Sequence, residues 1–319
     1  MKLLPFFRGF RCLRITLVAI VIGLSVPTFG ALVITPTFTA NFNANFGANA
    51  AAAQAAWISA ANTFSANFND NIHVNITVDA VPGTSVFGQS STFLNSTSYS
   101  NLRTRMVADA SSADDLLSLG AGGSMLAADP ISGTHTWWVS RAEAKAIGLI
   151  PDDLSNDGTT TFGTGNPFTF SGAIAPGTYD FKGIAMHEIS EVLGRLGISG
   201  GTIGSSANSY SLIDNFSYTG SGAKGVGNGA GNFFSLDNGS SLLKLYNNAS
   251  LNGLDSRDWA PGSNDAFNQF SNSGVVNPLS AVDIRLMDVL GYNLIPEPSS
   301  GSLVVAGLAI FAFFQKRHR

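Results

Sequence analysis

Cysteine and glutamate are both scarce in this chain of 319 residues. Cys12 is the single cysteine, and it lies in an N-terminal segment that we expect to be removed. The mature protein would then contain no disulfide bond, so its fold must rest on the hydrophobic core that a chain of this length can form. Only four glutamates occur, yet Glu188 and Glu191 lie beside His187 within five consecutive residues. A chain so poor in glutamate is not expected to place them there as generic surface charge.

Basic residues are also few between the two ends of the chain. Residues 31–294, which we expect to form one domain, contain ten Lys and Arg against 20 Asp and Glu, a net charge of −10. Proteins that bind nucleic acids need a basic surface. We therefore expect no nucleic-acid partner.

The first 30 residues have the pattern of a secretory signal peptide. A basic segment precedes an apolar run at residues 15–26, which is short for a membrane span, and the small residues Thr28 and Gly30 are compatible with cleavage before Ala31. An uncleaved N-terminal anchor is the alternative. In either case we expect the protein to be exported.

The C-terminal residues 295–319 carry a more specific pattern. Pro296, Glu297 and Pro298 are followed by an apolar run at residues 303–314 and a basic tail. This arrangement closely resembles the PEP-CTERM sorting signal of bacterial exported proteins. The resemblance implies that residues 303–314 hold the protein in the inner membrane until exosortase-type sorting machinery processes it, after which it reaches the cell surface or extracellular matrix. A plain C-terminal membrane anchor is the alternative.

Strands and helices are intermixed in residues 31–294, and no internal repeat or βαβ order is evident. Periodicity predicts strands near residues 32–36, 72–78, 134–139 and 162–170, and helices over residues 48–68, 99–110, 140–147 and 279–290. Ser112 and Ser140 are predicted to cap helices, as is Ser280. The glycine-rich residues 220–232 should form a loop. These elements indicate an α+β fold with a mixed sheet.

The sequence HEISEVLGR, residues 187–195, differs from a zinc-peptidase helix at one position. In HExxH peptidases two histidines four residues apart bind zinc, and the glutamate between them is the general base. Here Glu191 occupies the second histidine position. On a helix, the apolar residues from Ala185 to Leu196 form one stripe, while His187 and Glu191 lie together on the opposite side with Glu188 between.

This spacing predicts three roles. His187 would bind a metal, most simply zinc, through a neutral imidazole nitrogen, and Glu191 would be a carboxylate ligand. Glu188 would take a proton from metal-bound water, whose pKa the metal lowers to about 7. A carboxylate in place of a histidine makes the site more anionic, which should weaken the Lewis acidity of the metal.

The third ligand is less clearly indicated. Metzincins have a third histidine ten residues after the first, but that position is Gly197. Asp214 is favoured because it is the first acidic residue after the helix and lies in an apolar segment. The other candidates are His135, Asp255, Asp258 and Asp265. The loop of residues 255–258 is also a candidate calcium site.

A reading without metal is open as well. Glu191 and Arg195 are spaced as an i,i+4 ion pair, and His187 could be an ordinary polar residue of an exposed face. A descendant of a metal site that has lost catalysis is a third reading.

The chain resembles a group of exported bacterial zincin-like metalloproteases that carry PEP-CTERM tails. The likeness covers most of residues 31–294 and includes residues 112–115, 144–149, 179–181 and 286–292. It implies a zincin-like fold with an active-site helix, a zinc-dependent endopeptidase and a peptide or protein substrate. The metal and base roles carry over to His187 and Glu188, and to Glu191 by position only. The alternative is a catalytically inactive protein with a zincin fold that serves as a binding protein of the cell surface or the extracellular matrix.

Overall fold

The computed structural model describes residues 30–227, 229–253 and 255–296. The helices are α1 (Ala40–Phe46), α2 (Ala50–Ser65), α3 (Tyr99–Asp109), α4 (Ala113–Leu119), α5 (Arg141–Ala146), α6 (Phe181–Val192), α7 (Ala249–Asn252) and α8 (Ala281–Val289). The longer strands are β1 (Val33–Phe38), β2 (His73–Val81), β3 (Gly88–Thr92), β4 (Leu94–Thr97), β5 (Thr136–Ser140), β6 (Asn156–Gly163), β10 (Ser206–Ser211) and β11 (Ser217–Gly220). The shorter strands are β7 (Phe168–Thr169), β8 (Tyr179–Asp180), β9 (Gly201–Ile203), β12 (Ala223–Lys224), β13 (Phe233–Phe234) and β14 (Lys244–Leu245). The fold is α+β with mixed sheets, as the sequence predicts.

A four-stranded mixed sheet supports α6. Its strand order is β1-β2-β6-β3, in which β1, β2 and β6 are parallel and β3 is an antiparallel edge strand paired with β6. Alternate residues of β2 are buried, from Val74 to Ala80, which is the pattern of a strand with one face on the core. The helices α2 and α6 pack against each other, and α6 also packs on β3 and β6.

Aromatic side chains fill the space between these helices and the sheet. Trp57 of α2 is fully buried and donates its indole N–H to Thr160 Oγ1 of β6 at 3.1 Å. Phe181, the first residue of α6, lies 4.8 Å from the ring of Phe162 of β6, measured between centroids. Such contacts between large apolar side chains fix the position of α6 on the sheet.

Two further sheets flank this unit. One has the order β4-β5-β10-β9, with β5 and β10 parallel, and the other has the order β12-β11-β13-β14. A 3₁₀ turn at Leu212–Phe216 connects β10 to β11. Residues 255–277, which follow this turn in the sequence, line a cleft together with α6.

The predicted helix caps are confirmed. Ser112, Ser140 and Ser280 each accept a hydrogen bond from the backbone N–H three residues later, and each belongs to a capping box. Other elements differ from prediction. The helix α1 was not expected. The region predicted as a strand or hairpin at residues 162–170 contains only the end of β6 and the short strand β7, and the glycine-rich loop contains β12. Glycine composition signals a turn but does not show whether the flanking residues pair.

The predicted terminal signals lie outside the part of the chain that the structure describes, except for residues 30, 295 and 296. They remain predictions. Within the described ranges, no helix combines the length and apolar character needed to cross a bilayer.

Several acidic side chains meet where α8 contacts the start of α4. Asp288 accepts a hydrogen bond from Ser112 Oγ at 2.6 Å through Oδ2, while its buried Oδ1 has no hydrogen-bond partner among the described residues. Burial, together with the charge of nearby Asp115, raises the pKa of Asp288 to about 7. The folded protein therefore holds this proton more tightly than the unfolded chain does.

We expect the Asp288→Asn variant to be more stable than the wild type at about pH 8, by on the order of 1 kcal/mol. A raised pKa contributes stability below the ordinary aspartate pKa, and this stability is lost as the pH rises through about 7. The amide keeps an acceptor for Ser112 but does not ionise. Urea unfolding at several pH values measures the difference, which should disappear near pH 4. An advantage that does not change with pH would contradict this account.

Candidate metal centre

The two sides of α6 have different roles. Its apolar side chains face the core, and none of the following is more than 3% exposed: Ala185, Met186, Ile189, Val192 and Leu193. His187, Glu188 and Glu191 instead line a cleft of about 300 Å³. The predicted division of the helix into a core stripe and a polar face is therefore confirmed.

A glycine ends the helix and turns the chain sharply. Gly194 has φ +115°, a conformation that other residues rarely adopt, and a Cβ there would lie 2.9 Å from the Glu143 carboxyl carbon. Tyr292 anchors the same turn by donating its hydroxyl to the carbonyl of Leu193 at 2.7 Å. The turn brings Arg195 into the protein interior, where it is fully buried.

The cleft lies between the edge strand β3 and a loop segment of residues 255–277. Phe87, Gly88, Gln89 and Ser90 form one wall. A Cβ at Gly88 would lie 2.2 Å from Oε1 of Glu188, so a side chain there would require Glu188 to move. The backbone of β3 therefore lies directly against the predicted general base.

Three potential ligand atoms meet in this cleft. His187 Nε2 is 3.3 Å from Glu191 Oε1 and 3.5 Å from Asp258 Oδ1. All three atoms lie within 4.8 Å of one another, and no other group of three His, Cys, Asp or Glu residues within the described ranges is so arranged. Asp258 comes from the opposite wall of the cleft, 71 positions after His187 in the sequence.

Hydrogen bonds orient two of these side chains. The Nδ1 atom of His187 lies 2.9 Å from the carbonyl oxygen of Ala266. A carbonyl can only accept, so Nδ1 carries a hydrogen and Nε2 faces the cleft, as in metal sites where a second partner fixes the imidazole. Ser90 Oγ donates to Glu191 Oε2 at 2.6 Å, which leaves Oε1 directed at His187.

The donor types fit zinc, and two of the three separations between donor atoms match tetrahedral zinc, while the third, between Glu191 and Asp258, is within 4.8 Å. Tetrahedral zinc with nitrogen and oxygen ligands at about 2.0–2.2 Å separates its ligand atoms by about 3.3–3.6 Å. The two separations from His187 Nε2 fall in this range. One imidazole and two carboxylates would leave a fourth position open towards the cleft.

Arg195 completes the cluster. Its Nη1 donates to Asp258 Oδ1, and its Nη2 lies 3.6 Å from Glu191 Oε1. The predicted Glu191–Arg195 pair therefore exists, but in the interior and shared with Asp258 rather than on an exposed face. A buried arginine between two acids compensates their charge more strongly than a surface pair would.

The pKa values reflect this arrangement. Burial acts to lower the pKa of His187, but Asp258 and Glu191 outweigh it and raise that pKa to about 9. Burial acts to raise the pKa of Glu191, but the hydrogen bond and charge of His187, together with Arg195, lower it to about 2. Burial, and then the charge of Glu191, raises the pKa of Glu188 well above its ordinary range. Burial and the charge of Asp258 likewise raise the pKa of Asp255, another carboxyl of the cleft, to about 7.

The structure does not bring Asp214 to the cluster, which corrects its assignment as the third ligand. Its carboxylate is buried and accepts from the backbone N–H and hydroxyl groups of Ser199 and Ser211. It also pairs with Arg257, whose Nη2 lies 2.7 Å from Oδ1. These donors occupy the lone pairs that a metal would need. The lone aspartate in an apolar segment has a structural reason instead.

Of the remaining candidates for the third ligand, some lie at the cleft and one does not. Asp255 and Asp265 line the cleft beside Asp258, whereas His135 lies elsewhere and bonds Asp129 at 2.9 Å. Gly197 leaves no space for a third histidine, because a Cβ there would lie 2.5 Å from Arg257 Cγ and 2.9 Å from Ser256 Oγ. Sequence reasoning included Asp258 but had no local signal to select it.

We expect Asp258→Asn to abolish zinc binding and Asp214→Asn to preserve it. Asp214→Asn leaves the fully buried Arg257 without a carboxylate partner and should destabilise the protein by roughly 3–5 kcal/mol. Asp258→Asn removes the carboxylate that bonds the fully buried Arg195, which then keeps only Glu191 at 3.6 Å, and should destabilise the protein as well. Only Asp258→Asn removes a ligand atom of the cluster. Zinc content of the folded proteins, measured beside thermal unfolding, distinguishes the two. Equal zinc loss in both variants would show that general destabilisation, not ligation, is responsible.

Comparison of the chain with family models, with curated proteins and with solved structures found no match. The resemblance to zincin-like metalloproteases thus rests on the sequence motifs alone. Functional inference for this protein must come from the geometry of the cleft.

Proposed function

We propose that this protein is an exported zinc-dependent endopeptidase with a zincin-like domain. The observation that carries the proposal is the cluster of His187, Glu191 and Asp258 at ligand spacing, with Glu188 beside it in an open cleft. In this proposal His187, Glu191 and Asp258 hold the metal. Zinc bound there would supply a Lewis acid and lower the pKa of a bound water to about 7.

The residues of the chain have separate tasks in this proposal. Glu188 would accept the proton from the attacking water and pass it to the leaving amine, since it lines the cleft beside the three ligand side chains. The Ala266 carbonyl and Ser90 hydroxyl keep His187 and Glu191 in their ligating orientations.

The edge strand β3 supports a peptide substrate. It pairs on one side with β6, and Gly88, Gln89 and Ser90 line the cleft. An extended peptide can add to such an edge through backbone hydrogen bonds, which would place its chain across Glu188. Three parallel strands, an antiparallel edge strand and a helix with two ligands also agree with a zincin-like fold. Inner-membrane anchoring and exosortase-type sorting remain proposals from the terminal sequences.

A non-catalytic binding module is the second candidate. It is favoured by Arg195, which with His187 can balance the charges of Glu191 and Asp258. In that case the cluster would be a buried ion-pair network that stabilises the loop, and the cleft would bind its partner without cleaving it.

Zinc analysis of the purified full chain separates the two candidates. We expect about one zinc per chain in the wild type and in Glu188→Gln, and none in His187→Ala. The Glu188→Gln variant should cleave a fluorogenic peptide library about 10²- to 10⁴-fold more slowly, because only the general base is removed. Absence of stoichiometric zinc, or zinc retained by His187→Ala, would refute the metalloprotease proposal. Zinc binding without peptide cleavage by the wild type would favour the binding module.

We also expect Gly88→Ala to reduce cleavage without loss of zinc. The new Cβ would occupy the position of Glu188 Oε1 and force that side chain away from the cleft, while His187 and Glu191 keep their partners. Gly227→Ala is the matched control, because nothing lies within 4 Å of a Cβ there. Kinetics with zinc-loaded protein test this. Unchanged cleavage by Gly88→Ala would show that the position of Glu188 is not important for the reaction.

A further inference from the structure

Arg195 faces both acidic members of the metal cluster. Its side chain has no exposed surface. One end of the guanidinium bonds Asp258, and the other, Nη2, points towards Glu191 at 3.6 Å and has no hydrogen-bond partner among the described residues. A buried N–H group without a partner is unusual and indicates a role beyond packing.

Groups outside the cluster hold the guanidinium in place. Arg195 Nε donates to Ser190 Oγ at 2.7 Å, and the guanidinium carbon lies 4.6 Å above the ring of Phe267. Ser190 is itself fixed by donating to the carbonyl of His187 at 2.6 Å. The positive charge is therefore positioned by the helix and the loop as well as by the two carboxylates.

Formal charges show what this position achieves. Zinc bound by two histidines and one carboxylate, a set common in catalytic sites, has a net charge of plus one. Zinc bound by His187, Glu191 and Asp258 would be neutral, and so a weaker Lewis acid. The charge of Arg195, in contact with both carboxylates, returns the total to plus one.

We propose that Arg195 compensates the charge of Glu191 and thereby allows a helix of the HExxE type to support the chemistry of an HExxH site. The inference rests on the proposed function. Arg195 is a positioning residue, because it acts through the two ligands rather than on the substrate. Hydrogen bonding to Asp258 and the nearby charge withdraw electron density from both ligating oxygens. The same charge repels a divalent cation, so it weakens zinc binding while it strengthens Lewis acidity.

The test changes residue 195 in two backgrounds. Arg195→Met fills the space against Phe267 without charge, and Arg195→Gln keeps a donor for Asp258. Each is made in the wild type and in Glu191→His, which places a second histidine on the helix.

In the wild-type background, we expect loss of the Arg195 charge to make zinc bind about tenfold or more tightly and to slow cleavage by about tenfold or more. In the Glu191→His background zinc should again bind more tightly, but cleavage should slow much less than in the wild-type background, because the site without Arg195 still has a total charge of plus one.

Zinc dissociation constants are measured by competition with a chromophoric chelator, and cobalt-substituted proteins report ligand geometry by visible spectroscopy. Arg195→Lys retains the charge and should remain near wild type in both affinity and rate. If Arg195→Met fails to fold, Arg195→Gln carries the comparison. Weaker zinc binding in both backgrounds would mean that Arg195 only holds Asp258 in place, and would overturn the inference. If the wild type binds no zinc, the proposed function itself is refuted. If the wild type binds zinc but the Arg195 variants do not behave as expected, only the inference about Arg195 fails.

Discussion

Two buried ion pairs hold the loop that carries Asp258 against α6 and its neighbours. Adjacent residues provide one member of each pair: Arg257 bonds Asp214, and Asp258 bonds Arg195. Because a buried charge without a partner is costly, the loop cannot shift along its partners without leaving charges unpaired. The position of Asp258 over His187 depends on this constraint, as does the orientation of His187, since Ala266 belongs to the same loop segment.

The parts of the site that local sequence determines could be predicted. The alternation of apolar and polar residues along α6 depends only on helix geometry, so the common direction of His187 and Glu191 was evident before the fold was known. The same is true of the helices that Ser112, Ser140 and Ser280 begin, because the capping hydroxyl and the backbone N–H that donates to it are three residues apart. The helical periodicity of α6 also predicted that Glu188 lies close to His187 and Glu191.

The parts that depend on distant contacts could not be predicted. Asp214 and Asp258 are both buried acids that need a cationic partner, and the sequence does not show which arginine each one meets. The apolar surroundings of Asp214 correctly indicated a special role, but that role is a saturated ion pair. The reading without metal placed Arg195 on an exposed face, because the i,i+4 spacing to Glu191 carries no information about the loop that covers it.

The close contact at Gly197 limits how this site could change. Replacement of Glu191 by histidine needs one substitution, and its surroundings already include a hydroxyl donor in Ser90. A histidine at position 197 would collide with Arg257 and Ser256, and moving Arg257 would leave Asp214 unpaired. A three-histidine centre is therefore separated from the present one by a rearrangement of the loop rather than by point mutations. Packing of Arg257 and Ser256 against Gly197, outside the cluster, therefore preserves the set of one imidazole and two carboxylates.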